Sequence, residues 1–267
     1  MIEVLLISDK GGTGKSSVLK ALQEIYYKEA IFADCTFSIN YNKHTVISEE
    51  FFVDGVEAIV NNENCLLCGD CEQICEFNAL LYNPNGIIID AQKCTGCSHC
   101  VFICPTGAIS LKKINAGKIL LTRNNQDAIY IYGIIQHYSH NSKRPVLKIR
   151  NKAFQFAIEL NKSIIFIETL PGWDRLTHSL LFYSRMLVPI VEPHQFVFDF
   201  LEKVKDYSLA NRIEVKLIIN KSDINYEITS QIIKNYNFWE IICIPWNENQ
   251  NSKISNYFVN FIKKNGT

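Results

Sequence analysis

Two sets of four cysteines recur in this chain at one spacing: Cys65, Cys68, Cys71 and Cys75, then Cys94, Cys97, Cys100 and Cys104, twenty-nine residues further on. Thiolates in a C-x2-C-x2-C-x3-C run suit 4Fe-4S ligation, so the repeat predicts two clusters. Zinc also binds paired C-x2-C units, but a four-coordinate zinc site would leave the third and fourth cysteines of each run without a role. Pro105 follows the second run and Glu76 the first. A carboxylate beside a cluster would lower its potential, whereas a solvent-facing Glu76 would do nothing.

A second constellation, Lys10-Gly11-Gly12-Thr13-Gly14-Lys15-Ser16, lies near the start of the chain. Glycines let backbone amides close on phosphate oxygens, Lys15 brings charge to the terminal phosphates, and Ser16 offers a hydroxyl to Mg2+. Gly11, Gly12, Thr13, Gly14, Lys15, Ser16 and Ser17 therefore form the expected nucleotide-binding set.

These residues need elements to hold them. Glu3 to Ser8 is an apolar run that reads as a strand, and Ser17 to Tyr27 reads as a helix with Val18, Leu19, Leu22 and Ile25 on one face. Strand, glycine loop and helix in that order are the context a phosphate loop requires. The two cysteine runs are separated by a strand-like stretch, Asn83 to Asp90. Phe77-Asn78-Ala79-Leu80 and Thr106-Gly107-Ala108-Ile109 take equivalent places after them, which marks an internal duplication. Lys118 to Thr122 and Ala128 to Tyr132 read as two strands joined by a turn over 123–127. A last segment, with Ile254, Tyr257, Phe258, Phe261 and Ile262 beside Lys253, Lys263 and Lys264, reads as an amphipathic helix. Docking on its own sheet is the commoner use of such a helix, and membrane attachment the rarer one.

At 267 residues and 48% hydrophobic content, the chain is long enough to bury a full α/β core. Its 27 basic and 27 acidic residues balance, so no nucleic-acid partner is expected. No apolar run approaches the roughly 20 residues that span a bilayer, and Met1 leads into a strand rather than a signal peptide. A cytoplasmic location follows as the expectation, with no membrane partner. In a reducing compartment the cysteines are ligands rather than disulfides. Cys35 and Cys243 fall in apolar strands and read as small buried hydrophobes. His137 and His140, near Ser139, Asn141, Ser142 and Lys143, read as a polar surface loop in the absence of a third metal ligand.

The cysteine runs resemble those of bacterial two-cluster ferredoxins, in which the fourth cysteine of each run reaches across to the other cluster. That resemblance assigns Cys65, Cys68, Cys71 and Cys104 to one cluster, and Cys94, Cys97, Cys100 and Cys75 to the other. The loop, with its extra Lys10, resembles the deviant Walker-A loop of the ParA/MinD superfamily of P-loop ATPases, some of which carry an inserted ferredoxin domain. The implied fold is α/β: a mostly parallel P-loop NTPase sheet flanked by helices, with residues 1–60 and 115–267 as the ATPase domain. Residues 61–114 form the inserted bacterial-type domain with two 4Fe-4S clusters.

By the same resemblance, Lys10 crosses to the nucleotide of a partner in an ATP-sandwich dimer. Asp34, at the end of Ile31-Phe32-Ala33-Asp34-Cys35, takes the first switch position. Glu168, in Ile164 to Gly172, takes the second, which senses the terminal phosphate and holds Mg2+ through water. Asn220, ending Val215 to Asn220, contacts the base. Asn220-Lys221-Ser222-Asp223 also fits the N-K-x-D pattern that reads guanine, but Lys10 favours ATP or ADP. Lys10, Lys15, Asp34 and Glu168 are thus the expected catalytic residues.

Two departures stand out. Ferredoxin-bearing relatives write D-C-D-V-D at the first switch, where this chain writes Asp34-Cys35-Thr36-Phe37-Ser38. The second-switch aspartate is Glu168, and moving a charge by about an ångström at a reacting centre can cost on the order of 10²-fold. Binding should survive, while hydrolysis should be slow or depend on a partner subunit.

The expected activity is nucleotide-gated electron transfer, in a homodimer or in a heterodimer with a paralogue, to or from a redox protein partner. The alternatives are an ATPase that assembles or carries clusters, which the lack of a C-terminal C-x-x-C weakens, and a MinD-like positioning or regulatory ATPase with redox-sensing clusters.

Overall fold

Apolar, β-branched runs build the first unit of the molecule. A computed structural model describes residues 1–37, 44–135, 144–246, 257, 258 and 261. Within those segments two compact units are distinct. The first draws on Met1–Glu50, Ile119–Ile134 and Lys143–Thr267, and the second on Phe51–Lys118 and Ile135–Ser142.

The strands of the first unit are β1 (Ile2–Ile7), β2 (Ala30–Asp34), β7 (Ile129–Ile135), β8 (Ile164–Glu168), β9 (Met186–Val191), β10 (Glu214–Asn220) and β11 (Glu240–Ile244). β3 (Thr45–Val60) and β6 (Ile109–Arg123) each run across a unit boundary, as β7 does at its last residue. Among the described residues the sheet order is β11-β10-β9-β1-β8-β2-β7-β6-β3. β1 lies parallel to both β8 and β9, as β2 does to β7 and β8, and β10 to β9 and β11. Such strands are hydrophobic on both faces because helices cover the sheet. β8 and β9 are buried at every residue, and β1 at every residue after Ile2.

The flanking helices are α1 (Lys15–Tyr26), α4 (Arg144–Glu159), α5 (Arg175–Leu181), α6 (Val197–Asn211) and α7 (Tyr226–Asn235). Val18, Leu19 and Leu22 of α1 pack into a core with Val4, Leu6, Phe32 and Phe166. The Phe32 ring stacks on Phe166 at 5.6 Å.

Asn124 turns the chain between β6 and β7, its Oδ1 accepting from the Gln126 and Ala128 amides at 2.9 and 3.0 Å. β6 is longer than the expected strand from Lys118, beginning at Ile109. Of the expected terminal helix, Tyr257, Phe258 and Phe261 are described, and Phe258 and Phe261 are buried in the first unit's core. The rest of that segment lies outside the described residues, as do Ser38, His137, Ser139, His140, Asn141, Ser142 and Lys143. Among the described residues no helix is long and apolar enough to cross a membrane.

The second unit carries the duplication in its backbone. α2 (Asp70–Gln73) and α3 (His99–Ile103) are short helices, each entered through a left-handed residue: Gly69 at φ 82° and Ser98 at φ 70°. Between them β4 (Leu80–Asn83) and β5 (Gly86–Ile89) pair antiparallel. Ala58, Leu80, Ile87 and Ile109 form its core together with Cys71 and Cys100. Gly96 is required by close approach, because a Cβ there would lie 2.2 Å from the Val56 carbonyl oxygen.

Candidate functional site

The cysteines of the second unit surround two separate hollows. One, of about 340 Å3 counted with its open mouth, is lined by Cys65, Cys68, Cys71 and Cys104. The other, of about 270 Å3, is lined by Cys75, Cys94, Cys97 and Cys100. The fourth cysteine of each run thus lies with the first three of the other.

Local structure explains the grouping. Cys71 and Cys100 sit at equivalent places in α2 and α3, both buried. Burial pushes both thiols up, and so do neighbouring sulfurs of the same set: Cys65 and Cys68 for Cys71, Cys94 and Cys97 for Cys100. A buried thiol in each set that resists ionisation beside its neighbours suits a site that takes cationic charge, which a cluster supplies.

Backbone amides already point at the sulfurs. Leu67 donates to Cys65 Sγ, Ala79 to Cys75 Sγ and Ala58 to Cys94 Sγ, each at 3.4 Å. The Cys104 thiol faces burial as well, but hydrogen bonds from Thr106 and from the Ile109 and Ala108 amides bring it below its ordinary range. Among the described residues no three His, Cys, Asp or Glu side chains converge as a single metal ion requires. Four cysteines around each hollow suit a 4Fe-4S cluster, whose several irons span such a space, better than a single zinc ion. Glu76 is exposed and lines neither hollow.

The first unit brings the other predicted residues together at the carboxyl ends of its parallel strands, where doubly wound sheets hold ligands. β1 ends at Ile7 and the chain turns through the glycine loop into α1. Gly14, at φ 98°, is the residue before the helix, and its α-carbon lies so close to Asn220 that a Cβ would stand 2.4 Å from Nδ2. Gly11 and Gly12 have open space where a Cβ would be. Thr13 Oγ1 is buried without a hydrogen-bond partner. An open cradle of amides with an orphaned hydroxyl at a helix N-terminus fits a bound polyphosphate.

Lys15 is buried at the first position of α1, its Nζ donating to Ser8 Oγ. Burial lowers its pKa, while Glu168, Asp9 and Asp34 oppose that shift. Asp34 and Glu168 are register partners on β2 and β8, both buried. Glu168 Oε1 accepts from Ser16 Oγ at 2.7 Å. The extra methylene of glutamate thus carries the carboxylate onto the hydroxyl expected to bind Mg2+. Burial, and then the Asp34 carboxylate, push Glu168 up to about 7. Its Oε2 is buried without a hydrogen-bond partner. Two buried carboxylates beside a serine hydroxyl form a donor set that fits Mg2+. Ser17 is exposed on the first turn of α1.

Asn220 is engaged with the loop itself: Nδ2 donates to the Thr13 carbonyl at 2.8 Å, and Oδ1 accepts from the Lys221 amide at 3.0 Å. Asp223 Oδ1 accepts from the Trp246 amide at 2.5 Å.

Lys10 is half-exposed and pairs with Glu192 at 3.0 Å, and Lys221 pairs with the same carboxylate. Although burial opposes it, the Lys221 and Lys10 ammonium groups hold the Glu192 carboxyl below the usual range. His194 Nε2 meets Asp9 Oδ2 at 2.6 Å.

Sequence reasoning missed Ser8, Asp9, Glu192 and His194. A signal for the last two existed: β9 is an apolar run, and the residues that follow a central parallel strand sit at the ligand end of the sheet. Cys35 is buried, and burial, then Asp34 and Glu168, push its thiol well up. Burial raises Cys243 in the same direction. Neither behaves as a reactive thiolate.

Comparison with known proteins finds iron-sulfur relatives by sequence and ATPase-like neighbours by fold. The 4Fe-4S binding domain family matches residues 87–110. An uncharacterized ferredoxin of Methanocaldococcus jannaschii is 36% identical over 67 residues, which is 24% of this chain and 87% of that protein. The formate dehydrogenase iron-sulfur subunit of Wolinella succinogenes is 25% identical over 46% of this chain and 62% of its own length. An uncharacterized protein of Methanocaldococcus jannaschii is 29% identical, and the chain spans 31% of its length. Of the longer curated relatives this chain spans between 10% and 62% of their length. Among solved structures, MinD cell division protein of Aquifex aeolicus aligns over 97% of this chain and 86% of its own, with TM-score 0.50 and 11% identity. A plasmid partition protein of Borrelia burgdorferi aligns over 98% of both chains, with TM-score 0.50 and 13% identity.

Proposed function

We propose that this chain, which belongs to the 4Fe-4S ferredoxins through its cysteine-rich unit and has the ParA/MinD fold in its body, couples ATP binding and slow hydrolysis to electron transfer through two 4Fe-4S clusters. The observation that carries the reading is the pair of four-cysteine hollows in a chain whose other unit presents an open phosphate loop.

In this reading Cys65, Cys68, Cys71 and Cys104 hold one cluster, and Cys75, Cys94, Cys97 and Cys100 the other. When bound, the clusters supply one-electron carriers of low potential. The amides from Gly11 to Ser16 and the Lys15 ammonium bind the phosphates. Ser16, Asp34 and Glu168 hold Mg2+. Asn220 fixes the loop on its base side. Lys10 leaves Glu192 to reach the nucleotide of a second subunit, identical or paralogous. Nucleotide state then governs how a redox protein partner meets the clusters.

Slow turnover is supported by the bond between Glu168 and Ser16, which places the carboxylate one methylene further along than an aspartate would. The cluster-carrier alternative has less to stand on, because the body's own thiols, Cys35 and Cys243, are held protonated by burial. The test is anaerobic purification with iron and sulfide counted, ATP hydrolysis measured alone and with a paralogue, and cluster midpoint potentials recorded with and without Mg-ATP. About eight irons per chain and a nucleotide-dependent potential or reactivity are expected. Clusters indifferent to nucleotide in both respects would sink the coupling.

A further inference from the structure

The strongest unexplained feature of the first unit lies at the end of its sheet away from the phosphate loop. There the amino-terminal ends of β1, β9 and β10 border a cavity of about 1030 Å3 counted with its mouth. Its charge is unbalanced. Glu3 and Arg150 form a two-pronged ion pair, Nε donating at 2.9 Å and Nη2 to the second carboxylate oxygen. The side chains are 7% and 12% exposed. The Arg150 guanidinium also lies over the Tyr183 ring at 4.0 Å and the Phe154 ring at 4.9 Å. One arginine is thereby neutralised and fixed.

Arg185 and Arg212 line the same cavity. Among the described residues neither guanidinium has a hydrogen bond or ion pair. Both residues are exposed, but their backbones are anchored: the Arg185 amide donates to the Glu3 carbonyl at 2.9 Å, and Arg212 is the left-handed residue that closes α6. Tyr207 lines the cavity too, and its ring packs edge-on against Trp173 at 6.0 Å and His178 at 6.2 Å.

We propose that this cavity binds a small organic phosphate, its phosphoryl group on Arg185 and Arg212 and a planar body along Tyr207. The forked guanidinium groups match phosphate oxygens, two unpaired positive charges match a phosphate dianion, and a held aromatic ring offers a face for stacking. A concave site of this size takes a small molecule rather than a macromolecular surface. The site is separate from the nucleotide and cluster sites and holds whether or not they are coupled.

The test is calorimetry on the full cluster-loaded chain with Mg-ADP saturating the phosphate loop, so that added phosphate cannot compete there. Titrated phenyl phosphate should fill one further site. Arg185→Gln should weaken that site roughly 10- to 100-fold, as loss of a charge-assisted pair does, with ADP affinity unchanged. Arg185→Lys keeps the charge without the fork and should fall between. Arg212 also offsets the negative end of α6, so Arg212→Gln is read beside a melting curve. Inorganic phosphate should bind more weakly than phenyl phosphate, and equal affinity would overturn the planar contact. Absence of saturable heat up to about 10 mM would overturn the site, as would affinity unchanged in both glutamine variants.

Discussion

The cluster-bearing unit and the nucleotide-binding unit build their sites in opposite ways. In the first, eight cysteines come from two short runs, and a left-handed residue, a single-turn helix and a crossing fourth cysteine complete each set of four. In the second, Lys10, Lys15, Asp34, Glu168, Glu192 and Asn220 come from five strand ends far apart in sequence, and they meet only because β10, β9, β1, β8 and β2 lie side by side. A site written locally tolerates changes elsewhere in the fold. A site written across a sheet is hostage to each strand, and that is where this chain departs from the ferredoxin-bearing ATPases it resembles.

The largest effect expected from breaking the contrast is on iron content. Cys65→Ala with Cys104→Ala should cost one cluster and leave about four irons, because both line one hollow, whereas Cys65→Ala with Cys94→Ala should strip both. Equal iron in the two double variants would refute the crossed sets. Nucleotide binding should not follow iron in either.

Lys15→Ala is the converse cut. Loss of its charge-assisted bonds should weaken Mg-ATP binding roughly 10- to 100-fold in equilibrium dialysis, with the iron count untouched.

Glu168 sharpens the comparison through pH. Its folded pKa is raised from 4.5 to about 7. Below about pH 4.5 the carboxyl is neutral in both states and costs nothing. As pH rises the unfolded chain loses this proton first, so stability falls through the window up to 7 and stays lower above it. In Mg2+-free buffer Glu168→Gln, neutral throughout, should gain on the order of 3 kcal/mol over the native chain at pH 8 and only about 0.4 kcal/mol at pH 4.5. Denaturant melts at the two pH values measure it. An equal difference at both would show that the carboxylate is not strained in the folded site.

The smallest effect belongs to Glu76. Exposed beside Cys75, it is screened by water, so Glu76→Pro, which copies the other run, should leave both midpoint potentials within a few tens of millivolts. A larger shift in the potential of the cluster on Cys75 would give this residue the tuning role its position first suggests.

Much of this was legible in the sequence, for a physical reason. Ligand spacing in Cys65 to Cys104 and the strand-loop-helix at Glu3 to Tyr27 depend on neighbours within a few residues, which a linear reading sees. β1, β2, β8 and β10 announced themselves as apolar runs because both faces of a central parallel strand are buried. What escaped was lateral. Nothing near Glu192 says that it will clasp Lys10, because the pairing of β9 with β1, Leu6 beside Val188 and Ile7 beside Pro189, supplies that proximity. Nor could the serine-glutamate bond be read in advance. The substitution at 168 was visible, but its reach to Ser16 needed the register of β1 and β8, in which Leu6 faces Glu168.

Phe258 and Phe261 carry a consequence for the order of events on the ribosome. Both are core residues of the first unit, packed with strands from the chain's opening, and the Lys216 ammonium donates to the Phe261 carbonyl at 2.5 Å. That unit cannot close until residue 261 has been synthesised. Every cysteine of the second unit emerges long before, and units of a chain fold as they appear. Iron delivery therefore meets a finished receptacle on an unfinished protein. A shortage of iron during translation would be felt first by a nascent chain whose nucleotide site does not yet exist.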